Sequence, residues 1–430
     1  MRIKYFDIAR VYLIVSSFIF LLSSFWPGPS LVLITDVLII IVVLDILLKK
    51  QFNHDMKWII ILMALSLLQM FLVMAKQNGD IVIFLHSRTI FVYILITFFY
   101  MYTFSKLDNS NLKKMSYLIE VIIKIQIVAI VADGIAINFI GMQTLFTNVF
   151  QSSIGNYSLI VNPGIVFPKV PNGLVFGAQH ASILSVVGIL WYLPGIKKIN
   201  NKYLSQCLWL ILSIIALVFS ITTTAILTLT ITLLIALSII LLKKNKITLL
   251  VFTILAPFVI GMFFERVISF LKNIIIMRYH ISSEFLFELQ LNRYYSKMVE
   301  QPINAFSEYF SDILIGVGRT PQELNIVGEI GFISIMVDYG LVFFGILLFS
   351  FSFFMLKTIY VITTNNVKNE ENNIIFRLIL ISLAIVLSLM HYTTFYVPGV
   401  KQLFAAVIAL LYVLIKKHKR IPQKTLHLSL

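Results

Sequence analysis

Twelve apolar runs, each long enough to cross a bilayer, leave this chain very few folds to choose from. They lie at 9–26, 31–48, 57–75, 81–103, 115–139, 174–193, 206–221, 224–242, 247–263, 330–356, 373–391 and 400–416. A crossing helix needs about 20 mainly apolar residues, and a backbone in hydrocarbon must satisfy its own hydrogen bonds, as helices do. The runs are continuous rather than alternating, so they read as helices. The expected fold class is an all-α polytopic membrane protein with a single membrane domain over 1–430. Composition agrees: 12% of residues are charged, where soluble domains carry about 25%. The seventh and eighth runs are divided only by Ser220-Ile221-Thr222-Thr223-Thr224. The first run resembles a signal peptide, but Ser23-Ser24-Phe25-Trp26-Pro27 makes a poor cleavage site and a retained helix is expected. The single cysteine, Cys207, excludes an internal disulfide and reads as a small buried hydrophobe.

Basic residues set the expected orientation. About two thirds of the 34 lysines and arginines fall in 1–10, 49–57, 105–114, 195–202, 243–246, 357–372 and the tail from 416. Apart from one large loop, the opposite connections hold Lys76, Lys169 and Lys401. That asymmetry puts both termini in the cytoplasm. It also accounts for most of the net charge of +15, which faces anionic headgroups and does not indicate nucleic-acid binding.

Two outer loops are long, 141–173 and 265–328. The second mixes bases, among them Arg278, Arg293 and Arg319, with a near-equal number of acids. Individual arginines, rather than a broad field, must therefore bind any anion. Following each helix from its expected starting face puts Asp36, His86, Arg88, Asp133, His180, Asp338 and His391 in the outer half of the membrane. The inner half offers Asp45 near Lys49, Glu120 with Lys124 four residues on, and Arg377. Charges inside a bilayer are costly and mark functional sites by default. Their gathering on one side predicts a polar cavity that opens outward.

The stretch 312–344 concentrates these features. Gly316 and Gly318 flank Val317, which suits a tight turn whose N–H groups approach an anion. Arg319 follows, then Glu329 and Gly331 at the mouth of an apolar run, with Asp338 deeper in it before Tyr339-Gly340. Gly316-Val317-Gly318, Glu329-Ile330-Gly331-Phe332 and Tyr339-Gly340-Leu341 together resemble the signature of the O-antigen and capsule repeat-unit polymerases, within the O-antigen ligase superfamily. A second stretch, from Gly173 to Ser182, resembles that family's motif after the first long outer loop. It departs in having Asn172 for an arginine and Gln179 for the proline before His180. The family's arginine near Ser220 is also missing here, where threonines stand.

The resemblance implies glycosyl transfer on the outer face of a bacterial inner membrane. The donor would be a polyprenyl-diphosphate-linked oligosaccharide, and a flippase and chain-length regulators would work alongside. No P-loop, dinucleotide fingerprint or nucleotide-sugar DxD motif is present, so the donor must arrive already activated. Fixed cations would stabilise charge developing on the departing diphosphate. Arg319, Arg293, Arg278 and Arg88 are the candidates, with Gly316, Gly318 and Asp338 shaping the site. Glu329 is the first candidate for the base that takes the acceptor proton, and His180 the second. No metal-ligand spacing stands out, so a metal-independent reaction without a cofactor is expected. Superfamily ligases place a histidine where Glu329 stands, which favours polymerase over ligase. The competing class is a flippase or polysaccharide exporter, although the chain lacks the two comparable halves expected of a transporter.

Overall fold

The computed structural model describes residues 2–24, 30–49, 52, 56–76, 78–79, 81–140, 171, 173–174, 178–193, 201–220, 222–244, 314–316, 335–336, 338–364, 369–389 and 399–419. These hold α1 (Arg2–Ser17), α2 (Ile19–Ser24), α3 (Leu31–Leu48), α4 (Lys57–Lys76), α5 (Ile81–Ser105) and α6 (Asn109–Phe139). They continue with α7 (Ala178–Tyr192), α8 (Asn201–Ser220), α9 (Thr223–Lys244), α10 (Leu341–Thr364), α11 (Asn369–Ser388) and α12 (Val400–Lys419). No strand occurs among the described residues. Most of the described apolar runs become helices near their expected limits, but the first, expected at 9–26, starts at Arg2 and is divided at Phe18 into α1 and α2, and α6 starts at Asn109 rather than 115. The division at 220–224 is real, because α8 ends at Ser220 and α9 begins at Thr223. The run at 247–263 lies outside the described residues.

A further expectation needs correction. The run at 330–356 is not a single straight helix, because Gly340 interrupts it at φ +85° and α10 starts only at Leu341. Hydrogen bonds continue on either side, from Gly340 N to Met336 O at 2.8 Å and from Phe344 N to Gly340 O at 3.0 Å. The backbone turns at Gly340 and a new helix starts beyond it.

Among the described residues, five helical stretches are long and apolar enough to cross a membrane: Leu31–Leu48, Lys57–Lys76, Arg88–Ser105, Thr224–Leu241 and Leu341–Thr363. Their outward faces are greasy. On α3, Leu33, Val37, Leu38, Ile41 and Leu44 are exposed, while Asp36 and Thr35 on the same helix are buried. A water-soluble helix shows the reverse order. Apolar side chains outside and polar ones inside are what an integral membrane protein requires.

Two helices are buried along most of their length and organise the rest. α5 packs against α1, α3, α4 and α12, and α12 also meets α11, α6 and α1. A second set forms around α7, which contacts α6, α8, α9 and α11. There the backbones come close. A Cβ on Gly188 of α7 would lie 2.5 Å from Ile127 and 2.7 Å from Ser213, and one on Gly134 of α6 would lie 2.4 Å from Phe219. Small residues that let helices touch are the usual solution where lipid supplies no hydrophobic driving force.

The helix ends sort into two faces. On one, Tyr5 donates to Asp45 Oδ2 at 2.6 Å and Lys49 pairs with Asp45 at 2.6 Å. Lys417 donates to Leu107 O at 2.8 Å and to Asn109 Oδ1 at 3.0 Å, beside Asp108, which caps α6. Deeper from this face, Lys124 and Glu120 satisfy each other at 2.8 Å. This is the lysine-rich face. The opposite face holds the start of α12, the end of α1 and the buried polar cluster.

Candidate functional site

The site is built at the first turn of α12. Gly399 stands at the N-cap with φ +86°. A Cβ there would sit 3.0 Å from Ser16 O, so glycine allows the turn to press against the end of α1. Gln402 reaches back, its Oε1 accepting from Gly399 N at 2.6 Å. This is one half of a capping box, and it locks the first turn. Lys401 is held within that turn with only 4% of its side chain exposed.

A lysine at a helix N-terminus opposes the helix dipole and is costly to bury unless paired. Its partner is Asp36 of α3, also 4% exposed, whose Oδ1 lies 3.5 Å from Lys401 Nζ. Arg88 of α5 approaches the same carboxylate from another side, with Nε 3.9 Å from Oδ2. Its side chain remains one third exposed. Two cations on different helices thus converge on one buried acid. Both separations are longer than a direct hydrogen bond, so charge rather than hydrogen bonding joins the three.

Close to this cluster, Ser17 Oγ and Gln126 Oε1 are buried with no hydrogen-bond partner among the described residues. Gln126 of α6 donates its Nε2 to Ser17 O at 3.1 Å. A cavity of about 10 Å³ lies between Ser17, Gln126, Leu184, Gly399, Val400 and Leu403. That is about the size of one water molecule, and the two orphaned oxygens would give such a water its partners. Leu184 lies one helical turn after His180, so the two share a face of α7. His180 is itself buried.

Two described parts of the 312–344 stretch, 314–316 and 338–340, meet the bundle at α4 and α5. The backbones of 314–316 and 338–340 touch directly: a Cβ on Gly316 would lie 2.6 Å from Gly340 N, and one on Gly340 would lie 2.5 Å from Ile315 O. Gln69 of α4 donates to Ile315 O. The buried Tyr339 accepts at its hydroxyl from Ile90 N of α5 at 3.1 Å, two residues beyond Arg88. Gly316 and Gly340, picked out by sequence as a turn and a helix motif, therefore form one clasp that fixes this stretch beside α4 and α5. Asp338 is buried at the clasp. In the 173–182 stretch, Gly173 N donates to Asp133 Oδ2 at 3.3 Å. Ser182 and Thr222 share a hydrogen bond at 2.9 Å, which ties α7 to the turn before α9.

Of the expected site residues, Arg88, His180, Gly316 and Asp338 are seen in these positions. Gly318, Arg278, Arg293, Arg319 and Glu329 lie outside the described residues. Lys401 is the member that sequence reasoning missed, having counted it only as a loop cation. The signal was present, because a lysine in the first turn of an apolar helix needs a nearby acid. No family model, curated protein or solved structure matches this chain.

Chemically, the cluster offers a guanidinium and an ammonium fixed by one carboxylate inside a low-dielectric bundle. Of the two cations, Arg88 is the one with exposed surface, and a guanidinium is suited to an oxyanion such as a phosphate.

Proposed function

We propose that this protein is a membrane glycosyltransferase that joins polyprenyl-diphosphate-linked oligosaccharide repeat units into a longer surface polysaccharide. The observation that carries the reading is the convergence of Arg88 and Lys401 on Asp36. In the orientation expected from the basic residues, with twelve crossings and both termini in the cytoplasm of a bacterial cell, this cluster sits at the outer leaflet. A lipid diphosphate delivered to that face meets Arg88, with the buried Lys401 adding positive charge behind it. The resemblance carried by Gly316, Gly340 and their neighbours supports the same activity.

In this mechanism the acceptor sugar hydroxyl attacks the anomeric carbon of the donor glycan. The bond from that carbon to the diphosphate oxygen breaks, and the polyprenyl diphosphate leaves with the electron pair. Arg88 and Lys401, with Arg319, Arg293 and Arg278 from the large loop, stabilise the charge that grows on it. Glu329 takes the proton from the attacking hydroxyl, and His180 is the second candidate for that step. Asp36 holds the two cations in position.

The test supplies purified protein with lipid-linked repeat units and resolves product length. Arg88→Ala and Lys401→Ala should each leave single repeats unjoined. In cells those repeats should collect on the outer leaflet, whereas loss of a flippase would leave them on the inner one. Long glycan forming normally in the double variant would end this reading.

A further inference from the structure

The turn that carries Lys401 is also where the two helix sets meet. The cavity of about 10 Å³ at that turn has walls from Gly399, Val400 and Leu403 of α12, Ser17 of α1, Gln126 of α6 and Leu184 of α7. Two of these walls are polar and out of reach of bulk water. Ser17 is 5% exposed and Gln126 is 2% exposed. Neither Ser17 Oγ nor Gln126 Oε1 has a hydrogen-bond partner among the described residues. The other end of Gln126 fixes which atom is left over. Its Nε2 lies 3.1 Å from Ser17 O, a carbonyl that only accepts, so the amide nitrogen must face it and the amide oxygen remains. Native structures almost always supply a partner to such an atom.

The third wall is the start of a helix. The first N–H groups of an α-helix have no acceptor within the helix. Gly399 N is satisfied by Gln402 Oε1, and Leu403 N by Gly399 O. Between them lie the donors of 400–402, and Val400 stands in the cavity wall. An occupant must therefore accept from a helix N-terminus and donate to buried oxygens. A cation fails the first condition, because it would face the positive end of the α12 dipole. An anion fails the second, because Gln126 Oε1 can only accept. Water meets both conditions, and a space of this size holds one molecule.

We propose that one resident water joins the first turn of α12 to Ser17 of α1 and Gln126 of α6, and that through it these two residues hold Lys401 in place against Asp36. Gly399 presses the turn against Ser16 O on one side. Asp36 draws the lysine on another. The water closes the remaining side, where α6 would otherwise leave unpaired oxygens against the helix start. Ser17 and Gln126 are thus positioning residues, and their role does not depend on the activity proposed above.

The test begins with an electron cryo-microscopy map of the full-length protein in lipid nanodiscs, at a resolution that shows other buried waters. A single peak should lie about 3 Å from both Ser17 Oγ and Gln126 Oε1. An empty cavity in such a map would overturn the proposal. So would a peak ringed by six or more oxygens at about 2.4 Å, which marks a metal ion. This arm needs no variant to fold. The second arm measures hydrogen exchange. Gln126→Met keeps the side-chain length without the amide oxygen, and Ser17→Ala removes the hydroxyl. In each, amides 400–402 should exchange about tenfold faster, the equivalent of one lost hydrogen bond. Amides 95–105 of α5 should keep their protection. Exchange that rises equally in both segments, or in neither, would refute the link to Lys401.

Discussion

Lys401 depends on Asp36 for its place in the bundle. The lysine sits where the helix dipole disfavours it, and the carboxylate compensates at 3.5 Å. Replacing one partner of a buried pair leaves an uncompensated charge and typically costs about 3–5 kcal/mol. Asp36→Asn should therefore lower the melting temperature in detergent more than Arg88→Ala does, because Arg88 is one third exposed and keeps more of its hydration. A thermal-unfolding series on the purified variants checks that order. Lys401→Arg keeps the charge but brings a larger planar group into a first turn braced by Gln402 and Gly399, so under the proposed polymerase activity product length should fall without full loss of activity. At this scale sequence was informative about acids and incomplete about bases. Asp36 stood out because a carboxylate in an apolar run is conspicuous. Lys401 did not, because it lies beside Gly399 at a run boundary, and only the dipole argument separates it from a loop lysine.

Among the elements, the clasp between 314–316 and 338–340 decides where the second half of the chain attaches. Gly340→Ala must place a Cβ 2.5 Å from the Ile315 backbone at a φ of +85°, so loss of folded protein is expected, with a cost of at least about 1–3 kcal/mol from the strained backbone alone. Gly345→Ala is the internal comparison. It lies in α10 with nothing within 4 Å of its added Cβ, and it should be neutral or stabilise by about 0.5–1 kcal/mol. Tyr339→Phe removes the acceptor for Ile90 N and should cost about 1 kcal/mol. Paired melting curves for the three variants separate clasp from helix. Helix limits were readable where a run is bounded by charges or turn residues, as at Lys57; the start of α6 was not, because its first turns after the Asp108 cap are polar and carry Lys113 and Lys114. The bend at Gly340 was not, because an apolar run carries no mark of a backbone turn when glycine is also tolerated inside membrane helices.

For the whole molecule, Lys49, Lys417 and the α5–α6 turn gather on one face and the Asp36 cluster lies towards the other. Which face meets the cytoplasm follows from the distribution of basic residues. With Cys207 replaced by serine, a cysteine introduced for Lys76 should react with an impermeant maleimide added outside intact cells. One introduced for Lys113 should react only after the membrane is opened. The reverse pattern would turn the protein over and remove the charged cluster from any externally delivered substrate. Overall class was the most legible property of this sequence, since hydrocarbon permits so few backbones. How α3, α5 and α12 meet was not, because positions so distant in the chain share no local pattern.

The first turn of α12 has a consequence for biogenesis. α3 leaves the ribosome long before the helix that carries its partner lysine, so the Asp36 site cannot be completed until α12 has been made. A protein truncated before 399 would insert most of its hydrophobic segments and still lack the docking step that brings Lys401 to Asp36. In a chain lacking α12, Asp36 would keep Arg88 and lose the closer of its two cations.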